Sequence, residues 1–101
     1  MKVAKIYDFI DIRIEEMESP KIANNEVLIA TKACGVCTGE IMPWYIKSKA
    51  PVIFGHEVVG RIVDKGSNVF SFKVGDIIFP HHHVSCGECH FCKRGFPAQC
   101  K

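Results

Sequence analysis

The sequence predicts a mostly β domain, barrel-like, with one short helix and a metal-tied loop near its C-terminal end. Three observations carry that expectation. Apolar residues recur at two-residue spacing through the first third of the chain, turn residues punctuate the apolar runs, and four of the six cysteines crowd between Cys86 and Cys100. A period of two marks strands half-buried on a sheet face. Cysteines two residues apart aim their sulfurs at a common point, which suits a metal ion.

Composition narrows the class. A chain of 101 residues with 48% apolar and 24% charged residues has the balance of one small globular domain, so residues 1–101 are read as a single unit. A net charge of +2 is too weak to suggest a nucleic-acid or membrane surface, and neither is expected as a partner. The N-terminal stretch MKVAKIYDFIDIRIEEM carries early acids and lacks the continuous apolar run of a signal peptide; no later run reaches membrane-spanning length. A cytoplasmic location is therefore expected, where structural disulfides are uncommon.

The elements follow in order. KVAKIYDFI and IDIRIEEM read as strands, and EVLIATKACG as a third, with turn chemistry at Ser19-Pro20 and Asn24-Asn25 between them. VCTGEIMPWYI holds the start of a short helix, with Pro43 limiting its upstream extent. VVGRIVDKG and GDIIFP read as further strands separated by the turn-rich SNVFSFKVG.

The segment CGECHFCKRGFPAQC places Cys86, Cys89 and Cys92 at every third residue and Cys100 after seven more. A disulfide-stapled miniprotein is the first alternative, and the compartment argues against it. A bacterial ferredoxin cluster is the second: it shares C-x₂-C-x₂-C, but its next cysteine follows after three residues and precedes proline. Here seven residues intervene and Lys101 follows. Four thiolates with a long final span close a tetrahedral shell around zinc, and Lys93 and Arg94 within the loop offset part of its negative charge.

Two further segments carry chemistry. In ACGVCTGE, Cys34 and Cys37 have the spacing of a thioredoxin-type redox pair, but the βαβ context of that motif is missing; Cys34 alone reads as a small core residue. In FGHEVVG, His56 precedes Glu57, and cysteine plus histidine from separate segments is part of a catalytic zinc shell, with Glu57 beside it. The run His81-His82-His83 would alternate sides in a strand, so the three do not all face one metal; a surface or interface role is expected. Trp44 and Tyr45 are large aromatics suited to a core.

Together, ACGVC, GHEVVGRIVDKGSNV and VGDIIF running into C-x₂-C-x₂-C-x₇-C resemble the N-terminal catalytic domain of the zinc-dependent medium-chain dehydrogenase/reductase family, over essentially the whole chain. The resemblance implies a GroES-like partial β-barrel. It implies catalytic-zinc ligands at Cys37 and His56 with Glu57 beside the metal, and structural zinc at Cys86, Cys89, Cys92 and Cys100. It also implies zinc-assisted hydride transfer between an alcohol and a carbonyl, with NAD(P) and a small-molecule alcohol or carbonyl substrate. The same resemblance implies a substrate pocket as the other place for Trp44 and Tyr45.

Departures qualify this. Where the family usually has the serine or threonine that starts a proton relay, this chain has Gly39, with Thr38 one residue earlier; where it usually has an aspartate behind the ligands, this chain has Glu40. No G-x-G-x-x-G turn is present for a dinucleotide. The expectation is an N-terminal zinc-binding domain that is inactive by itself, because a third catalytic ligand and the nucleotide-binding domain lie outside the sequence. The alternatives are a stand-alone zinc-stabilised binding or assembly module, and an iron–sulfur electron carrier. A homo-oligomer or a separate nucleotide-binding partner chain is left open.

Overall fold

The computed structural model describes residues 1–100. In chain order the strands are β1 (Lys2–Asp8), β2 (Asp11–Glu16), β3 (Val27–Gly35), β4 (Val52–Ile53), β5 (Glu57–Lys65) and β6 (Ile77–Ile78). Helix α1 (Pro43–Lys49) lies between β3 and β4, preceded by a 3₁₀ turn at Thr38–Ile41. The short helix α2 (His90–Lys93) and a second 3₁₀ turn at Pro97–Gln99 belong to the cysteine loop. They form two three-stranded antiparallel sheets, ordered β2-β1-β4 and β3-β5-β6.

The first sheet is a hairpin with a short third strand. Lys2 faces Glu16 and Ile6 faces Ile12, while Ile6 also faces Val52 of β4. The sequence expectation found β1, β2, β3, β5 and β6 but not β4, because two residues carry no readable alternation. Pro43 limits the upstream extent of the helix, as expected: α1 begins at it, in the first turn, where a missing N–H costs nothing.

The second sheet places the chemistry. β3 and β5 run antiparallel with Val27 opposite Lys65 and Gly35 opposite Glu57, and the register shifts between Thr31 and Ala33. Gly60 sits at that irregularity. A Cβ there would fall 2.3 Å from Ile29 Cγ2 and 2.5 Å from the Ala30 carbonyl oxygen, so only glycine lets the strands close.

Three isoleucines are the fully buried side chains among the described residues. Ile6 of β1, Ile46 of α1 and Ile62 of β5 are at most 1% exposed. Their burial is consistent with about 1.5–3 kcal/mol of apolar stabilisation each. Elsewhere the sheet faces stand open: Ile14 of β2 is 70% exposed and Ile77 of β6 55%. The strands form a partial barrel, with β2, β4, β3 and β6 as outer strands of the two sheets among the described residues.

Candidate metal centres

The β3–β5 ladder explains why Cys37 and His56 meet. Gly35, the last residue of β3, pairs with Glu57, the first residue of β5. Cys37 lies two residues beyond one end and His56 one residue before the other, so antiparallel pairing delivers both to the same place. The candidate ligand atoms of Cys37, His56 and Glu57 all lie within 4.8 Å of one another. Glu57 reaches the group by folding across Gly35, where a Cβ would stand 2.6 Å from its Oε2.

Glu40, set in the 3₁₀ turn after Cys37, is the buried charged residue behind this cluster, at 7% exposure. Its Oε2 accepts a hydrogen bond from the Cys37 backbone N–H at 3.0 Å and its Oε1 one from the Gly55 N–H at 2.7 Å. His56 Nδ1 stands 3.3 Å from the same Oε1. One carboxylate thus holds the backbone on both sides of the cluster and the ring between them. With Nδ1 turned to Glu40, Nε2 is the nitrogen left to bind a metal, the arrangement of a carboxylate–histidine–metal triad.

Gly55 is fixed by two constraints. Its φ is +96°, in the left-handed region. A Cβ there would also fall 2.5 Å from Cys34 Sγ. Cys34 is therefore not the core residue its apolar setting suggested: it is exposed, at the open end of β3, with its sulfur against Gly55. Thr38 is exposed, and nothing lies within 4 Å of where a Cβ on Gly39 would be. Trp44 is 69% exposed on the first turn of α1, which removes it from the core, while Tyr45 lines a cavity of about 230 Å³ with Glu40, Gly55 and His56.

The second cluster is built by turns. Gly87 and Gly95 adopt positive φ of 74° and 83°, reversing the chain on either side of α2. Cys89 caps α2, Cys92 lies within it, and the Pro97–Gln99 turn delivers Cys100. All four sulfurs lie within 4.8 Å of one another, with Cys86 Sγ 3.9 Å and Cys89 Sγ 3.5 Å from Cys92 Sγ. A disulfide needs about 2.05 Å, and the cysteines are free. Four sulfurs bound tetrahedrally at about 2.3 Å from zinc would stand about 3.8 Å apart, so the cage fits that ion. An iron–sulfur cube, several atoms wide, would hold its cysteines farther apart.

Backbone amides prepare this cage for anionic sulfur. The N–H groups of Glu88 and Cys89 donate to Cys86 Sγ at 3.4 and 3.2 Å, and bring its pKa from 9.0 down to about 6. Hydrogen bonding from the Cys92 backbone lowers Cys89 as well. Cys100 goes the other way. The Cys86 N–H, its largest single influence, favours the thiolate, but the Cys86 sulfur, burial and the other sulfurs together push it up to about 11. Those two amides thus favour a thiolate at Cys86 before any ion arrives.

The histidine run departs from the expected strand. Residues 80–84 are irregular, so the alternation argument does not apply. The His81 and His82 rings stack at 4.9 Å and 17°, and His82 in turn lies 4.9 Å from the His56 ring. His83 turns away and donates from Nε2 to the Pro97 carbonyl at 2.9 Å. No signal in the sequence pointed to His82 meeting His56, because the contact depends on an irregular loop.

Two donor clusters, one of sulfur, imidazole and carboxylate and one of four sulfurs, on a partial antiparallel barrel describe a small β domain suited to carrying two metal ions. The comparisons give it a family. A model of the alcohol dehydrogenase GroES-like domain matches residues 23–101, and the chain belongs to that family. It is 41% identical over 106 residues to an alcohol dehydrogenase of Geobacillus stearothermophilus, covering 99% of this chain and 31% of that protein. It is 41% identical over 99 residues to an L-threonine 3-dehydrogenase of Caldanaerobacter subterraneus, covering 92% of this chain and 28% of that one. Among solved structures, the cobalt- and zinc-bound thermostable alcohol dehydrogenase of Pyrobaculum aerophilum superposes with a TM-score of 0.81 at 27% identity, over 100% of this chain and 32% of that chain. The chain thus spans less than a third of the curated relatives it matches. No helix among the described residues is long and apolar enough to cross a membrane.

Proposed function

We propose that residues 1–101 are the zinc-binding domain of an NAD(P)-dependent alcohol or polyol dehydrogenase, with the nicotinamide cofactor bound outside these residues. The observation that carries this is the convergence of Cys37, His56 and Glu57 at one end of the β3–β5 ladder, in a chain of this family. Cys37 and His56 hold the catalytic zinc, with Glu57 as the carboxylate beside it; Cys86, Cys89, Cys92 and Cys100 hold the structural zinc. Zinc at the first site supplies Lewis-acid polarisation of an alcohol or carbonyl oxygen.

The chain's own residues supply the rest. Glu40 fixes the tautomer and direction of the His56 ring, and its two backbone hydrogen bonds hold Cys37 and Gly55 at a set separation. Gly39 offers no hydroxyl, and Thr38, one residue earlier in the sequence, is the hydroxyl assigned here to take the substrate proton. The substrate is a small alcohol or carbonyl compound.

Metal content per chain, measured on protein purified without added metal, tests this. We expect one tightly held zinc that Cys92→Ser abolishes and Cys37→Ser leaves in place. A second, weaker equivalent should depend on Cys37 and His56. Iron with sulfide, or no metal in a folded chain, would overturn the assignment.

A further inference from the structure

The four-cysteine loop and the His56 cluster are joined by a path of contacts that the proposed catalysis does not use. His83, half-buried, donates from Nε2 to the carbonyl of Pro97, the first residue of the turn that delivers Cys100. The His83 backbone N–H donates to His81 Nδ1 at 3.1 Å. His81 stacks on His82, and His82 lies against the His56 ring. His56 is thereby held on two sides, by Glu40 at Nδ1 and by His82 at the ring.

We propose that His83 is a positioning residue: it fastens the histidine segment to the cysteine loop, so that metal loading of the four cysteines sets the orientation of the His56 ring. The inference rests on the four-cysteine metal site proposed above. An ion holding Cys100 fixes the turn that begins at Pro97, and a fixed turn gives His83 a stationary acceptor. Without the ion, the Cys100 sulfur keeps only weak contacts, such as the 3.4 Å approach of the Cys86 N–H, and the turn rests on local backbone hydrogen bonds, Phe96 N–H to the Phe91 carbonyl and Cys100 N–H to the Pro97 carbonyl among them. His83 then loses its anchor, and His82 leaves His56. The segment between His81 and His83 is the shared element that both sites bias, and such coupling is reciprocal.

Histidine-selective NMR on the Cys37→Ser chain tests this, because that background keeps the His56 site from taking metal of its own. Cadmium loading of the four cysteines is followed by thiolate–cadmium absorption. Removing the cadmium with chelator should shift the His56 and His82 ring signals together. His83→Ala should show the same shifts while its cysteines remain cadmium-loaded. His83→Gln, whose amide can still donate to the Pro97 carbonyl, should move them back toward the parent positions. His56 signals that ignore both chelation and His83→Ala would overturn the coupling. If His83→Ala does not fold, the chelation arm and His83→Gln decide. A folded chain that takes up no cadmium at the cysteines would overturn this proposal and the zinc assignment together.

Discussion

Replacing Glu40 is the sharpest test of how the His56 cluster is held. Its carboxylate accepts from two backbone N–H groups at 2.7 and 3.0 Å and faces His56 Nδ1 at 3.3 Å. Hydrogen bonds to a charged group contribute about 1.5–3 kcal/mol each. The two short ones together set a gross loss of about 3–6 kcal/mol for Glu40→Ala, partly offset because no carboxylate then needs burying. We expect a net loss of about 3 kcal/mol, a large part of the roughly 5–15 kcal/mol that holds a typical domain together. Glu40→Gln keeps the volume but turns an amide NH₂ toward a backbone donor, and should lose about half as much. Glu40→Asp keeps the charge on a shorter arm; it should retain the Cys37 amide, three residues away, and weaken the hold on Gly55, fifteen away. Urea unfolding of zinc-loaded protein gives the free energies. The His56 tautomer, read by nitrogen NMR with no metal at the His56 cluster, gives an independent signal: Nδ1–H in the parent, shifting toward Nε2–H in Glu40→Ala. A Glu40→Ala chain within about 0.5 kcal/mol of the parent, a change typical of surface substitutions, with its tautomer unchanged, would refute this reasoning.

Gly55→Ala should cost about 1–3 kcal/mol, since it places a side chain at φ +96° and drives its Cβ into Cys34 Sγ. Adding Cys34→Ala should recover the steric part and leave the conformational part, which a double-mutant cycle by urea unfolding separates. Gly39→Ser should change stability by less than about 0.5 kcal/mol, because the space around that position is open; thermal unfolding checks it. In metal-free protein, Cys86 should be alkylated first at pH 7, where a thiol with a pKa of about 6 is roughly nine-tenths ionised. The folded-state value lies below the ordinary 9.0, so this thiolate's contribution to the metal-free fold is full above pH 9 and is lost as pH falls through 6. Peptide mapping after brief iodoacetamide treatment at several pH values reads the order, with Cys100, at about 11, expected to lag.

What the sequence made legible was whatever a local pattern encodes. Alternation in KVAKIYD and the β-branched, apolar content of EVLIATKACG gave the long strands, and the spacing of Cys86, Cys89 and Cys92 gave the sulfur cage. The misread residues share a different property, since their surroundings are set by chain segments far away. Cys34 looked like core because it ends an apolar run, yet the last five residues of β3 are exposed and only its first half packs. The histidine run invited a strand's alternation, but the chain there is irregular, and two of its rings stack on one side. Position 40 was recognised as the place of a partner behind the ligands, and the longer glutamate reads in sequence as a departure. In the fold, that carboxylate spans from the Cys37 amide to the Gly55 amide and still faces the imidazole. A residue's distance from a family pattern is therefore a poor guide to its effect when the groups it must reach lie on another strand.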